Sequence, residues 1–314
     1  MPEYEIRDLN GHSEEARRLG AQRFLQVIQE LEEGREIFAQ AALWLETQHL
    51  LDGKSVGFIG AFSALDEDSA REVLQTAEDK LSMAGAEWAV GPIDGSTWRS
   101  YRFLTGSEGN IPPFLMEPAN PDWYPKVWES AGYKPVAEYY SSFVTDLRHR
   151  DEQVVRAAER LAAAGVTFEP LNLERWEAEL AEIHELSLIA FTPNFLYEPL
   201  PLEHFAASYA KARALVKPEL VLLARQEGKL VGYCFCLPNP YLASSVIVKT
   251  LAVLPGRGLA GLGAVLLEEV QHRAADLGFA SAIHALMHEN NRSRNLSMRY
   301  GKPFRTYALY GKEL

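Results

Sequence analysis

The stretch VLPGRGLAGLGAVLLEEV, residues 253–270, sets Gly256, Gly258, Gly261 and Gly263 between an apolar, β-branched run and a long helix-like pattern. Glycines let a backbone come close to a ligand, and the free N–H groups that open a helix attract phosphate. Two other phosphate devices fit less well. Gly256, Gly258 and Gly261 satisfy G-x-G-x-x-G, but too few residues follow the strand beginning at Phe279 to build the remaining βα units of a dinucleotide-binding sheet. Gly256 and Gly261 also have the Walker spacing, yet Leu262 and Gly263 stand where Lys and Ser or Thr would hold terminal phosphates and magnesium. The device that fits is a strand delivering a glycine-rich turn into a helix. The N–H groups from Leu259 through Ala260, Gly261, Leu262 and Gly263 to Ala264 would grip a diphosphate there without a metal.

The elements that must position this turn are legible around it. Residues 244–254, SSVIVKTLAVL, read as a strand stopped by Pro255. Leu262, Val265, Leu266, Val270, Ala274 and Leu277 recur at three and four, an amphipathic helix closed by Gly278. A strand over FASAIHALM, a short helix over NNRSRNLSMRY and a strand over RTYALYG complete the chain. The first half repeats the order: KSVGFIGAF (54–62) a strand, DSAREVLQTAEDKLSMAG (68–85) a helix, AEWAVGP (86–92) a strand. Between the halves, DEQVVRAAERLAAAG (151–165) reads as a connecting helix with too thin an apolar stripe to anchor a core. The second half restarts with VTFEPLNL as a strand and ERWEAELAEIHELSLIAF as a helix.

The balance of the chain narrows its class. With 314 residues and 47% hydrophobic content there is material for two cores. A formal charge of -12, without a local basic cluster, argues against a nucleic-acid partner. No run of about 18 apolar residues is present for a membrane span, and the charged start MPEYEIRDLN lacks a secretion-signal core, so the expected location is cytoplasmic with no membrane partner. Cys234 and Cys236, the only cysteines, sit C-x-C on one strand face and read as buried filler, with no metal site expected.

V-x-P followed by R-G-L-A-G-L-G and an amphipathic helix resembles the acetyl-coenzyme A loop of the GNAT N-acetyltransferases. The family pattern aligned on Gly261 and Gly263 places its first basic position on Gly258, with Arg257 one place early. In HENNRSRNLSMRYG, Asn290 (or Asn291), Ser293 and Gly301 fit the family's next segment; its Tyr position holds Ser297, and Tyr300 follows one helical turn later. The resemblance covers about residues 166–314 well and the first half by element order. It implies an α/β fold of α+β type, two tandem GNAT-like domains, each a mixed, mostly antiparallel sheet flanked by helices. The expected domains are 1–148, degenerate, and 149–314, binding acetyl-CoA. The first lacks the loop: Asp66, Glu67 and Asp68 occupy its helix entrance, where carboxylates would repel a diphosphate.

The resemblance also implies roles. Backbone N–H groups of Leu251, Ala252 or Val253 would meet the acyl carbonyl, and Arg257, Gly258 and Asn290 would join the coenzyme site. Tyr300, or Ser297 through water, would protonate the leaving thiolate. His284, His288 and Glu289 are candidate bases; His284 and His288, four apart, are expected to share a strand face. His184 and Glu198 are weaker candidates. Trp98, Tyr101, Trp123 and Tyr124, with Asp94 and Glu117, read either as an acceptor loop or as aromatics closing the first core. The expected reaction is acetyl transfer to a primary amine of a small molecule or peptide. Its rivals are a non-catalytic CoA-binding or regulatory module and an aminoacyl or peptidyl transferase. The oligomeric state, monomer or homo-oligomer, stays open. Gly261→Asp is expected to abolish coenzyme binding by setting a carboxylate against the diphosphate.

Overall fold

The computed structural model describes residues 4–32, 34–210 and 212–314. The first half runs β1 (Glu5–Asn10), α1 (Glu14–Leu19), β2 (Arg23–Leu31), β3 (Gly34–Trp44), β4 (Leu50–Leu51), β5 (Lys54–Ala64), α2 (Glu67–Met83), β6 (Trp88–Gly91), β7 (Phe103–Ser107), α3 (Trp123–Ser130) and β8 (Lys134–Val144). The second runs α4 (Glu152–Ala163), β9 (Val166–Pro170), α5 (Trp176–Ala190), α6 (Leu202–Ala210), β10 (Val221–Gln226), β11 (Lys229–Pro238), β12 (Ser245–Val253), α7 (Leu262–Asp276), β13 (Ser281–His288), α8 (Arg292–Ser297) and β14 (Lys302–Glu313).

Packing gathers these into two compact units. The first holds residues 1–105, 118–138 and 307–314; the second holds 106–117 and 139–306. A single cut between 148 and 149 therefore separates the helices but not the strands, because β8 and β14 each change unit partway along. In the first unit the strand order is β1-β2-β3-β5-β6-β14, antiparallel except for the parallel pair β5/β6. In the second it is β8-β13-β12-β11-β10-β9, antiparallel except for the parallel pair β12/β13. The mixed, mostly antiparallel sheet flanked by helices is borne out in both. The internal repeat is the parallel crossover itself: Val56 pairs with Trp88 across α2, and Val246 with Ala282 across α7.

Each crossover helix buries the stripe that its spacing dictates. α2 inserts Ala70, Val73, Leu74, Ala77 and Leu81 among Leu25, Ala41, Leu43 and Ile59. α7 inserts Leu262, Leu266, Val270 and Ala274 among Leu222, Cys234, Val246 and Ala282. A fully buried leucine or valine contributes about 1.5–3 kcal/mol, so these stripes fix each helix on its sheet. The expectation that the 151–165 helix is only a connector is corrected. Val154, Ala157 and Leu161, at spacings of three and four, are buried in the second core beside α7. α7 and the edge strand β9 together cover this stripe.

Cys234 and Cys236 are free and buried in that core, where burial pushes the Cys234 thiol up to about 12 and raises Cys236 as well. Tyr124 and Trp123 also serve a core: the Tyr124 hydroxyl accepts from the Ala64 N–H at 2.8 Å and donates to the Ala64 carbonyl at 3.0 Å. Phe62, Phe103, Tyr124 and Trp128 meet edge to face around it. Asp94 accepts from the Ala61 N–H at 2.6 Å. For Trp123 and Tyr124, of the two readings, the packing supports aromatics that close the first core. Glu117 lies in the second unit, ion-paired with Arg305.

Candidate functional site

The parallel pair β12/β13 holds only from Ser245–Val248 against Ser281–His284. Beyond it β12 stays with β11 as far as Val253, and β13 stays with β8 as far as His288, so a wedge opens at the C-terminal ends of the two strands. Ligands of α/β sheets favour such crevices. The Leu254 N–H donates to the Val231 carbonyl. Alternation along an antiparallel strand then turns the N–H groups of Val253 and Leu251 away from β11 and into the wedge, and that of Ala252 toward β11. Of the three proposed carbonyl-binding amides, two therefore face the opening.

The glycine turn lies at the mouth of the wedge. Residues Pro255, Gly256, Arg257, Gly258, Ala260 and Gly261 are exposed. Gly261 is the N-cap of α7 at φ 87°, with no side chain capping the helix and no acidic residue in its first turn. The Leu259 and Ala260 N–H groups close on the Gly256 and Arg257 carbonyls at 3.3 Å, and those of Ala264 and Val265 on Gly261 at 3.1 Å. Among the described residues, the N–H groups of Gly258, Gly261, Leu262 and Gly263 donate to nothing. Arg257 is likewise without a side-chain partner among the described residues. Four unspent donors, a helix dipole and an arginine at one exposed point are features that favour an anion.

Gly261 is a poor position for testing that site. Its left-handed φ excludes most side chains, and a Cβ there would lie 2.9 Å from Ala157 Cβ. Any effect of Gly261→Asp would mix a broken turn with a repelled anion. Gly263 is different: a Cβ on it would meet only Val253 Cγ2 at 3.7 Å and Leu251 Cδ2 at 3.8 Å, ordinary contacts.

The corresponding point of the first unit is closed. Asp66 caps α2, accepting from the Ser69 N–H at 2.8 Å, and the Tyr4 hydroxyl reaches the same carboxylate at 3.2 Å. Burial works against the Asp66 charge, but the Ser69 and Tyr4 bonds outweigh it and hold the group below its usual range. Glu67 and Asp68 follow in the first turn. A Cβ on Gly60 would strike the Ile93 carbonyl at 2.2 Å, so the chain after β6 fills the space beyond the β5/β6 pair.

The side chains expected to handle protons are scattered by one irregularity. Between His284 and Met287 the β13/β8 register shifts, Ser142 facing His284 and Tyr140 facing Met287, with Leu286 at φ 56°. The extra residue reverses the alternation, so His284 and His288 lie on opposite faces. The expected shared face is thereby corrected. His284 points under α7, with Nδ1 2.8 Å from Ser297 Oγ and Nε2 3.2 Å from Gln271 Oε1. With the Gln271 oxygen accepting from Nε2–H, Ser297 donates to Nδ1. Burial depresses the imidazole to about 4.

Ser297 is thus engaged in the core, and Tyr300 donates to Glu268 Oε1 at 2.9 Å. Burial, and then that bond, raise the Tyr300 hydroxyl above its ordinary value. Glu268 also accepts from the Asp151 N–H at 3.0 Å, so it ties α7 to the start of α4 and to the segment after α8. In this structure the Ser297 hydroxyl is engaged by His284 of β13 and the Tyr300 hydroxyl by Glu268 of α7, so neither points into the wedge with a free proton. His288 instead packs against Tyr139 at 5.0 Å and Phe195 at 6.1 Å on the opposite face. Its Nδ1 accepts from the Asn290 N–H at 3.1 Å, which puts the proton of the neutral ring on Nε2. While that bond lasts the ring has no lone pair for an amine proton. Glu289 is half-buried beside it, and Asn290 is exposed; Asn291, not Asn290, caps α8 by accepting from the Ser293 N–H. His184 is buried, with Nε2 2.6 Å from the Leu200 carbonyl, holding the loop before α6.

The depressed His284 carries a stability prediction. Its folded value, about 4, lies below the ordinary 6.5, so the unfolded chain binds the proton first as pH falls. Stability is therefore lost between about pH 6.5 and 4, by on the order of 3 kcal/mol. Urea titrations at stepwise pH should show this slope in the wild type and a shallower one in His284→Gln. Parallel slopes would mean that the imidazole titrates freely in the fold.

Arg160 joins the turn from outside the glycine motif. It lies on α4, and its Nη2 donates to the Ala260 carbonyl inside the glycine turn. No local pattern distinguishes it from the other charged residues of that helix.

Comparison with known proteins agrees with this geometry. The model of the acetyltransferase (GNAT) family matches residues 180–301. A bacterial ceramide synthase from Caulobacter vibrioides (strain NA1000 / CB15N) is 23% identical over 189 residues, 60% of this chain and 49% of that protein. The chain thus spans about half the length of the curated relative it matches. Among solved structures, the GCN5-related glucosamine N-acetyltransferase region of a fungal multi-domain GH3 β-N-acetylglucosaminidase is similar with a TM-score of 0.57 at 12% identity, covering 99% of this chain and 38% of that one. A GCN5-related N-acetyltransferase from Sphaerobacter thermophilus gives 0.51 at 17% identity, covering 92% and 80%. At such identities the structures speak for the fold.

Proposed function

We propose that the second unit, whose residues 180–301 match the GNAT acetyltransferase family model, is an acyl-CoA-dependent N-acyltransferase. One observation carries the reading: the unspent N–H groups of Gly258, Gly261, Leu262 and Gly263 stand where the β12/β13 wedge opens. A coenzyme A diphosphate laid on those amides would run its pantetheine arm along β12 and bring the thioester to the Leu251 and Val253 N–H groups. The first unit, with Asp66 in the equivalent place, contributes no second donor site.

In the reaction, the amine nitrogen bonds to the acyl carbon and the carbon–sulfur bond breaks. The carbonyl oxygen gains charge in between, and a wedge-facing N–H at Leu251 or Val253 is placed to stabilise it. An alkyl amine is protonated at neutral pH and must lose a proton before it attacks. Glu289 is the acceptor-side group we assign to that step, acting directly or through water, since His288 Nδ1 is occupied. The proton ends on the released thiol, without help from Ser297 or Tyr300.

The donor is acetyl-CoA or a longer acyl-CoA, and the acceptor a primary amine of a small molecule or peptide. The relative named as a ceramide synthase favours the longer chain, since a ceramide is an N-acylated lipid amine. Ile189 and Leu202, exposed at the end of α5 and the start of α6, would suit an apolar substrate. Thiol release should be followed with acetyl-, octanoyl- and palmitoyl-CoA against small, peptide and long-chain amines. Amine-dependent release with any pair supports transfer, and the preferred chain length separates the two donors. Coenzyme A binding without release would favour a regulatory module, and neither binding nor release would defeat the reading.

A further inference from the structure

The helix that precedes the second sheet reaches the glycine turn. Ala157 and Arg160, three residues apart on one face of α4, both approach Gly261: a Cβ built there would lie 2.9 Å from Ala157 Cβ and 3.6 Å from Arg160 Nη2. Arg160 Nη2 donates to the Ala260 carbonyl. Among the described residues no carboxylate pairs with this arginine, so its one fixed contact is with the turn. We propose that Arg160 is a positioning residue for the donor diphosphate, acting through the peptide that joins Ala260 to Gly261.

The argument rests on peptide geometry and on the donor-site reading given above. A trans peptide is planar, with its C=O and N–H pointing in opposite directions. Fixing the Ala260 oxygen therefore fixes the direction of the Gly261 N–H, one of the four unspent donors. A glycine at φ 87° otherwise has wide rotational freedom, and turning this peptide over would aim an oxygen at the anion. The charge on Arg160 also polarises the peptide, making its N–H a stronger donor. The guanidinium lies on the carbonyl side of that peptide, so its fixed contact with the site runs through the turn.

The experiment is calorimetry on the full chain with two probes, coenzyme A and pantetheine, which has the same arm but no diphosphate. Arg160→Ala should weaken coenzyme A by about ten-fold, the scale of one charge-assisted hydrogen bond, and leave pantetheine unchanged. Arg160→Lys, which can still donate to the carbonyl, should recover part of the loss. Arg156→Ala is the control: it removes the same charge from the same helix, where Arg156 pairs with Glu152 at 3.7 Å. It should change neither affinity. Unaltered coenzyme A binding in Arg160→Ala would overturn the inference. So would an equal loss of both probes, the mark of general damage to the fold, or an equal loss in Arg156→Ala, the mark of long-range charge alone. Failure of the wild type to bind coenzyme A would instead strike the donor-site reading on which the inference stands.

Discussion

Gly263→Asp should weaken coenzyme A binding by at least about 100-fold while leaving the second unit folded. The substitution adds one negative charge within roughly 5 Å of the place assigned to the diphosphate, and at an effective dielectric near 20 each charge pair there costs about 3 kcal/mol. The protein itself should tolerate it. Gly263 is the second residue of α7, where a carboxylate complements the helix dipole and a non-glycine residue is favoured. A Cβ at this position makes only ordinary contacts with Val253 and Leu251. Gly263→Asn has the same shape without the charge and should bind far more tightly than Gly263→Asp. Calorimetric titration with coenzyme A and thermal melting of both variants decide the matter. If the aspartate variant keeps wild-type affinity, the diphosphate does not sit on this turn.

The largest loss of stability is expected at Glu117. Its carboxylate lies 3.2 Å from Arg305 Nε, with side chains only 3% and 6% exposed, so the pair is shut away from water. Arg305 Nη2 also donates to the Ile111 carbonyl at 2.6 Å, and Glu117 Oε2 accepts from the Phe114 N–H at 3.2 Å. Together they fold residues 106–117, which lie far back in the sequence, into the second unit. Glu117→Leu strands a buried guanidinium and should cost about 3–5 kcal/mol in urea unfolding. The double change Glu117→Leu with Arg305→Met removes both charges and should recover most of that loss. A single variant as stable as the wild type would mean that water reaches Arg305 after all.

The glycine turn, the strand before it and the amphipathic helix after it could be read from the residues alone. Each depends on neighbours within a turn or two: Pro255 ends a strand, Gly261 supplies a left-handed φ, and an apolar stripe at three and four selects one helix face. The repeat in the first half was legible for the same reason, as was the acid at its helix entrance, because a cap is a local hydrogen bond.

What lay beyond the sequence was everything that hangs on a long-range register. One extra residue at the His284–Met287 bulge turns His288 from the face of His284 to the other, and alternation counted along the chain has no sign of it. Ser297 and Tyr300 carried the right chemistry but were claimed by His284 and Glu268, partners set by how α7 and α8 dock. Arg160 met Ala260 across 100 residues, and the strand pieces 139–144 and 307–313 chose their units by pairing. The residues by themselves determined which backbone could bind an anion, since that is a property of a few consecutive peptides. Only the tertiary structure decided which side chains could serve it, since a side chain's reach and free hydrogen-bonding capacity depend on what the fold packs against it.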